Sequence, residues 1–286
     1  ILQPIDILGR LDKNYGFIPK SIKKGDVVLQ LGQNNFNGSI RNAHLQYIQT
    51  ILTAQRQIII NDQFLFDPLI VQALVQALNR NLNLKVYVLL ADLSDPYDPQ
   101  KPFAHVPNIA FVDDLLSFGE KRVKMKWNKP PPLFLEALRN AKAKYGVTLS
   151  PEFHLKAMSI DGVMESDNAK CGQFSNEKHV VDSDGVNAVE AISGWPILIT
   201  GSANKDNLTM VGGFREFQVA LFDDKVSTAK HDCMFWSRFL DAEHSEEIDP
   251  NSINLPPALK SKGITESDFN SLVRQILKNA YNFRIL

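Results

Sequence analysis

Cysteine is scarce: the 286 residues contain two, Cys171 and Cys233. Two thiols cannot form the several-bridge framework of a small secreted scaffold, so a hydrophobic core has to hold the fold. Both cysteines read most simply as free thiols, and they leave the compartment unread. An excess of either charge is also lacking. Thirty-one Lys and Arg stand against 32 Asp and Glu, a formal net charge of −1. That balance argues against a strongly basic nucleic-acid binder, although a local cationic pocket stays compatible with it. No apolar run has the length needed to span a bilayer. Polar low-complexity tracts are missing, and nothing shows the spacing of a metal-ligand cluster, so neither a metal nor another cofactor is expected. The sequence opens on Ile1 without an initiator methionine, which reads as a processed or trimmed start.

What remains is an ordinary globular composition, 44% hydrophobic and 22% charged, long enough for one large core or two modest ones. Strands are expected at 27–31, 57–60 and 84–91, where aliphatic and β-branched residues run together. Helices are expected between them, at 39–56 with Ser39 as cap and at 67–80, opened by the pair Asp67-Pro68. Residues 93–108, rich in Asp and Pro, read as a loop. A further helix precedes Gly146, strands follow at about 154–160, 195–200 and 215–222, and helices lie near 226–241 and 265–281. Alternating strands and helices predict an α/β fold, a mixed and mostly buried sheet with helices on both faces. The domain plan is an irregular lead-in over 1–26 and a body over 27–241, interrupted by a polar segment at about 162–193. A tail over 242–286 ends in an amphipathic helix.

The chemistry starts at "PEFHLKAMSIDG", residues 151–162. A lone histidine in a strand is most often a satisfied core residue, and a lysine there can snorkel to an edge. Here His154 and Lys156 share parity, so they project from one face about 7 Å apart, while Asp161 has the opposite parity. An ammonium on a strand that belongs in a core needs an anion, and the two groups together suit a phosphate. The second piece is "GSANKD" at 201–206, which places Ser202 and Asn204 just beyond the end of a strand. Ligands commonly bind at such a position in α/β folds. Glu216 follows at the start of the next strand.

H-x-K-x4-D followed by G-S-x-N and an acidic residue resembles the phospholipase D superfamily. The match extends back to "SIRNAHLQYIQTILTAQRQIIINDQFLF", which looks like the opening of the C-terminal half of a two-motif phospholipase D. Where that family commonly has Glu-Asn-Gln-aromatic, this chain has Asn61-Asp62-Gln63-Phe64, so no role is carried over to that stretch. The resemblance implies a phospholipase D-like αβα sandwich over the 27–241 body. It also implies a phosphodiesterase that works through a phosphohistidine, without a metal. His154 would be the nucleophile or the general acid. Lys156 and Asn204 would hold the phosphate oxygens, with Ser202 assisting. Glu216 would bond the far nitrogen of His154 and fix its tautomer. Asp161 completes the motif among the catalytic positions, as a structural or supporting group rather than a substrate contact.

None of His44, His105, His179, His231 and His244 has a lysine two residues later, so the motif occurs once. Displacement through phosphohistidine needs a second imidazole to protonate the leaving oxygen, a contribution of about 10²–10⁴-fold. A second motif-bearing half is therefore expected, on a separate or removed N-terminal half or otherwise across a homodimer axis. The expected substrate is a phospholipid at a membrane surface, with the protein secreted or peripheral. Nucleic acid is the less favoured substrate, and a silent binding half is the reading outside enzymology.

Overall fold

Apolar runs that alternate with amphipathic segments have to stack into layers, because each buries its apolar side only against another element. The computed structural model describes residues 28–34, 42–91, 108, 110–129, 132–146, 155–170, 194–205, 210, 216–249 and 261–282. In chain order these form β1 (Val28–Asn34), α1 (Asn42–Thr53), β2 (Gln57–Asp62), α2 (Pro68–Arg80) and β3 (Lys85–Ala91). Then come α3 (Val112–Leu116), β4 (Val123–Asn128), α4 (Pro132–Tyr145) and β5 (Lys156–Ile160). A 3-10 turn at Glu165–Lys170 precedes β6 (Ile197–Gly201), β7 (Glu216–Phe222), α5 (Lys225–Phe239), β8 (Ser245–Glu247) and α6 (Glu266–Asn282). One sheet holds all eight strands in the order β1-β7-β6-β5-β2-β3-β4-β8. Strands β2, β3 and β4 run parallel, and the other neighbours are antiparallel.

The period-2 pleat sorts side chains between two cores. Ile58, Ile60, Val86, Val88, Met158 and Ile160 face α1 and α2, meeting Tyr47, Ile51, Ile70 and Leu74. Ile59, Tyr87 and Leu89 face Phe235, Trp236 and Phe239 of α5, with the Tyr87 and Trp236 ring centroids 4.7 Å apart, edge to face. Helices thus cover both faces, the α/β arrangement expected from the sequence. Asp67 caps α2 by accepting from the Leu69 and Ile70 N–H groups at 3.0 and 2.9 Å. It also takes the His44 Nε2 at 2.9 Å, so that helical histidine is a structural one.

Three elements, α3, β4 and β8, are absent from the sequence reading. Strand β4 is "VKMKWN", in which Lys124 and Lys126 separate the inward Val123, Met125 and Trp127. The lysines lie along the α5 face, where Lys126 Nζ sits 5.0 Å from the Phe239 ring centroid. Residues assigned to the tail supply β8, and Ile248 beyond it is buried in the larger core. Helix α6 returns to α3 through Arg274–Asp113 and Lys278–Asp114 pairs at 2.9 and 2.8 Å. Cys233 is disulfide-bonded, which corrects its reading as a free thiol. Cys171, Ser39, the lead-in at 1–26 and 171–193 of the polar segment lie outside the described residues. Among the described residues no helix is long and apolar enough to cross a membrane.

Candidate functional site

Four strands bring their ends to one side of the sheet. Lys156 opens β5 directly opposite Asp62, the last residue of β2. Ala157 faces Thr200, which sets Lys156 beside Gly201, and Gly201 in turn faces Gln218 of β7. Gly201 permits this crowding: a Cβ there would lie 2.3 Å from the Phe217 carbonyl oxygen and 2.5 Å from Gln218 Cα. Only a residue without a side chain lets β6 and β7 approach so closely before the chain turns into Ser202.

The loop after β6 is fixed by its own polar groups. The Ser202 N–H donates to the Phe217 carbonyl at 2.8 Å, and Ser202 Oγ accepts from the Phe217 N–H at 3.1 Å. The Ser202 hydroxyl gives its proton to the Glu216 carboxylate in a short bond. Tyr47 of α1 reaches across to donate to the Ala203 carbonyl at 3.2 Å. The Asn204 side-chain oxygen is buried and has no hydrogen-bond partner among the described residues, so it is a polar atom that a bound molecule could satisfy.

Beneath the loop lies a buried charge cluster. Lys205 Nζ meets Asp62 Oδ2 at 2.5 Å, with both side chains 0% exposed. The ammonium also donates to the Ala157 carbonyl at 3.4 Å and stands 4.3 Å from the Tyr47 ring centroid. Asp62 Oδ1 accepts the Phe64 N–H at 3.2 Å. Lys156 is 5% exposed. Burial raises the Asp62 carboxyl above the usual carboxylate range, against the pull of Lys205 and Lys156. Burial likewise lowers the Lys205 ammonium, with Asp62 opposing and Lys156 adding to the effect. The Tyr47 phenol is held well above its ordinary range by burial first, then by the charges of Asp62 and Glu216. Asp62, Lys205 and Lys156 thus act on one another at close range, and Asp62 and Glu216 both act on Tyr47.

Of the residues read from the sequence, the structure brings together Lys156, Ser202, Asn204 and Glu216. His154 lies outside the described residues, so its bond to Glu216 stays an expectation. Asp161 is set apart from the group. It follows the far end of β5, five residues from Lys156 and roughly 16 Å along the strand. There its carboxylate accepts the N–H groups of Gln55, Arg56 and Gln57 at 2.9, 2.6 and 3.0 Å. A cavity of about 490 Å³ opens at that same end, lined in part by Arg56, Asp161, Gly162, Asp167 and Lys225, and it does not reach the Lys156 cluster. Sequence reasoning missed Lys205 and Asp62. The signal was present as opposite charges, one closing a strand and the other in the loop after a neighbouring strand.

No protein-family model and no curated protein matches the chain. Solved structures do resemble it in three dimensions. Nuc from Salmonella typhimurium, a phospholipase D family member, shares 12% identity at a TM-score of 0.44, over 78% of this chain and 99% of that one. NucT from Helicobacter pylori shares 13% at 0.45, over 78% of this chain and 100% of that one. Phosphatidylserine synthase from Haemophilus influenzae Rd KW20 shares 10% at 0.46, over 87% of this chain and 48% of that one. What this chain has in common with the three is a likeness of fold.

Proposed function

We propose that the chain is a phosphodiesterase of phospholipase D type, acting on a phospholipid headgroup diester by hydrolysis or transfer. The observation that carries the reading is the convergence of Lys156, Ser202, Asn204 and Glu216 at one end of neighbouring strands. In this reading one ring nitrogen of His154 bonds to phosphorus as the P–O bond to the headgroup alcohol breaks. The departing oxygen takes its proton from a second acid, and water or another alcohol then displaces the imidazole. Lys156 and Asn204 hold the non-bridging oxygens, with charge stabilised by fixed donors rather than by reorganising water. Glu216, joined to Ser202, accepts from the far nitrogen of His154 and keeps the attacking nitrogen unprotonated.

The second acid belongs to a partner half that carries its own motif, on another polypeptide or on a second copy of this chain. Support for such a partner comes from an apolar strip at the β1 edge, where Leu29, Leu31 and Phe217 are 54, 67 and 57% exposed. The disulfide at Cys233 supports an oxidising compartment, hence export, and activity at a membrane surface.

The test compares phosphatidylcholine vesicles with single-stranded DNA across a salt series, for the parent and for His154→Ala. Headgroup release by the parent, lost in the variant, is expected. Cleavage of DNA with a steep salt dependence, and no lipid turnover, would replace the lipid substrate with a nucleic acid. Equal rates for parent and variant would remove this site from the chemistry.

A further inference from the structure

Asp62 is an awkward neighbour for a phosphate site. Directly opposed residues of an antiparallel pair share a face with Cβ atoms about 4.5–5.5 Å apart, and Asp62 is the direct partner of Lys156. A carboxylate there offsets the lysine's charge and repels an anion. Lys205 answers that problem from the next loop, one residue past Asn204. Its side chain is 0% exposed, meets Asp62 Oδ2 at 2.5 Å and is roofed by the Tyr47 ring. Its own carbonyl accepts the Phe66 and Asp67 N–H groups at 3.0 and 3.1 Å, which pins the loop to the residues after β2.

We infer that Lys205 is a positioning residue of this site: by neutralising Asp62 it keeps the Lys156 charge directed at an anionic phosphate. The inference rests on the Lys156 end being a phosphate site, as proposed above. The two members of the pair then have opposite effects. Removing Lys205 leaves Asp62 to offset Lys156, and removing the Asp62 charge takes away a repulsion on the anion. A single charge change within about 7 Å of the anion, with an effective dielectric of about 20, would correspond to a change of roughly 10- to 100-fold in anion affinity.

Calorimetric titration of the intact chain with inorganic phosphate at low salt tests this. Lys205→Met is expected to weaken phosphate binding roughly 10- to 100-fold, and Asp62→Asn to tighten it. The double variant Asp62→Asn/Lys205→Met is expected within about 3-fold of the parent, because charge balance returns. A merely structural pair gives no such change of sign, only a parallel loss of stability. Breaking a buried pair is costly, so if Lys205→Met does not fold, Asp62→Asn decides alone. Tighter binding supports the role, and unchanged or weaker binding overturns it. A parent that binds no phosphate overturns the phosphate site and the inference together. A parent that binds, with single variants shifting in the same direction, overturns only the role of Lys205.

Discussion

Asp161 and Lys156 flank one short strand, yet they do different physical work. Lys156 belongs to the charge cluster, whereas Asp161 pins the turn into β2 by accepting three main-chain N–H groups. Asp161 also adopts a φ of 52°, a left-handed conformation that Asp tolerates better than bulkier residues. Beyond it, Asp232 holds the Val163 N–H at 2.7 Å and the Ser159 hydroxyl at 2.5 Å, so the turn is gripped from both sides. Asp161→Ala strands one buried and two half-buried donors, and we expect a loss of roughly 1–3 kcal/mol in denaturant unfolding. Phosphate affinity measured below the unfolding transition should stay near that of the parent. A large drop in affinity with stability unchanged would move Asp161 into the site. Parity in the sequence set Asp161 apart from Lys156 by face, whereas in the structure it lies beyond the opposite end of the strand. That its partners would be the backbone of 55–57 depended on a contact about a hundred residues away.

The most demanding element is the β6–β7 junction. Gly201 lies where a Cβ would press on backbone atoms of β7, which cannot swing aside as a flexible side chain can. Gly201→Ala should therefore part the two strands at the Glu216 end. We expect a destabilisation of about 1–3 kcal/mol, together with loss of the proposed phosphodiesterase activity out of proportion to the folded fraction, because Ser202 and Glu216 move with the strands. Full activity in the alanine variant would show that the strand spacing there does not matter. Strands rich in aliphatic residues and helices with caps were readable because burial imposes their periods. Strand β4 differs from them: it alternates Val123, Met125 and Trp127 with Lys124 and Lys126, a period-2 signal unlike the continuous apolar runs of its neighbours.

For the whole molecule, the sheet brings residues from four separate strands to one end, while α5 packs on the far face over Ile59, Tyr87 and Leu89 and leaves Leu29, Leu31 and Phe217 exposed. The disulfide at Cys233 sits on that helix. Reduction should lower the unfolding free energy by about 2–4 kcal/mol, read as a shift in the denaturant midpoint. An unchanged midpoint would mean that the bridge constrains little of the unfolded chain. Local sequence was enough to specify the alternating α/β order, the two-faced burial of the sheet and the residue types proposed to handle a phosphate. Those follow from local periodicity and from the chemistry of each side chain. Tertiary structure alone decided that Asp62 would lie across from Lys156 and that Lys205 would close over it, with Asp161 held at the opposite end. Such neighbours are separated by up to 143 residues, and strand register, which no local pattern encodes, is what brings them together.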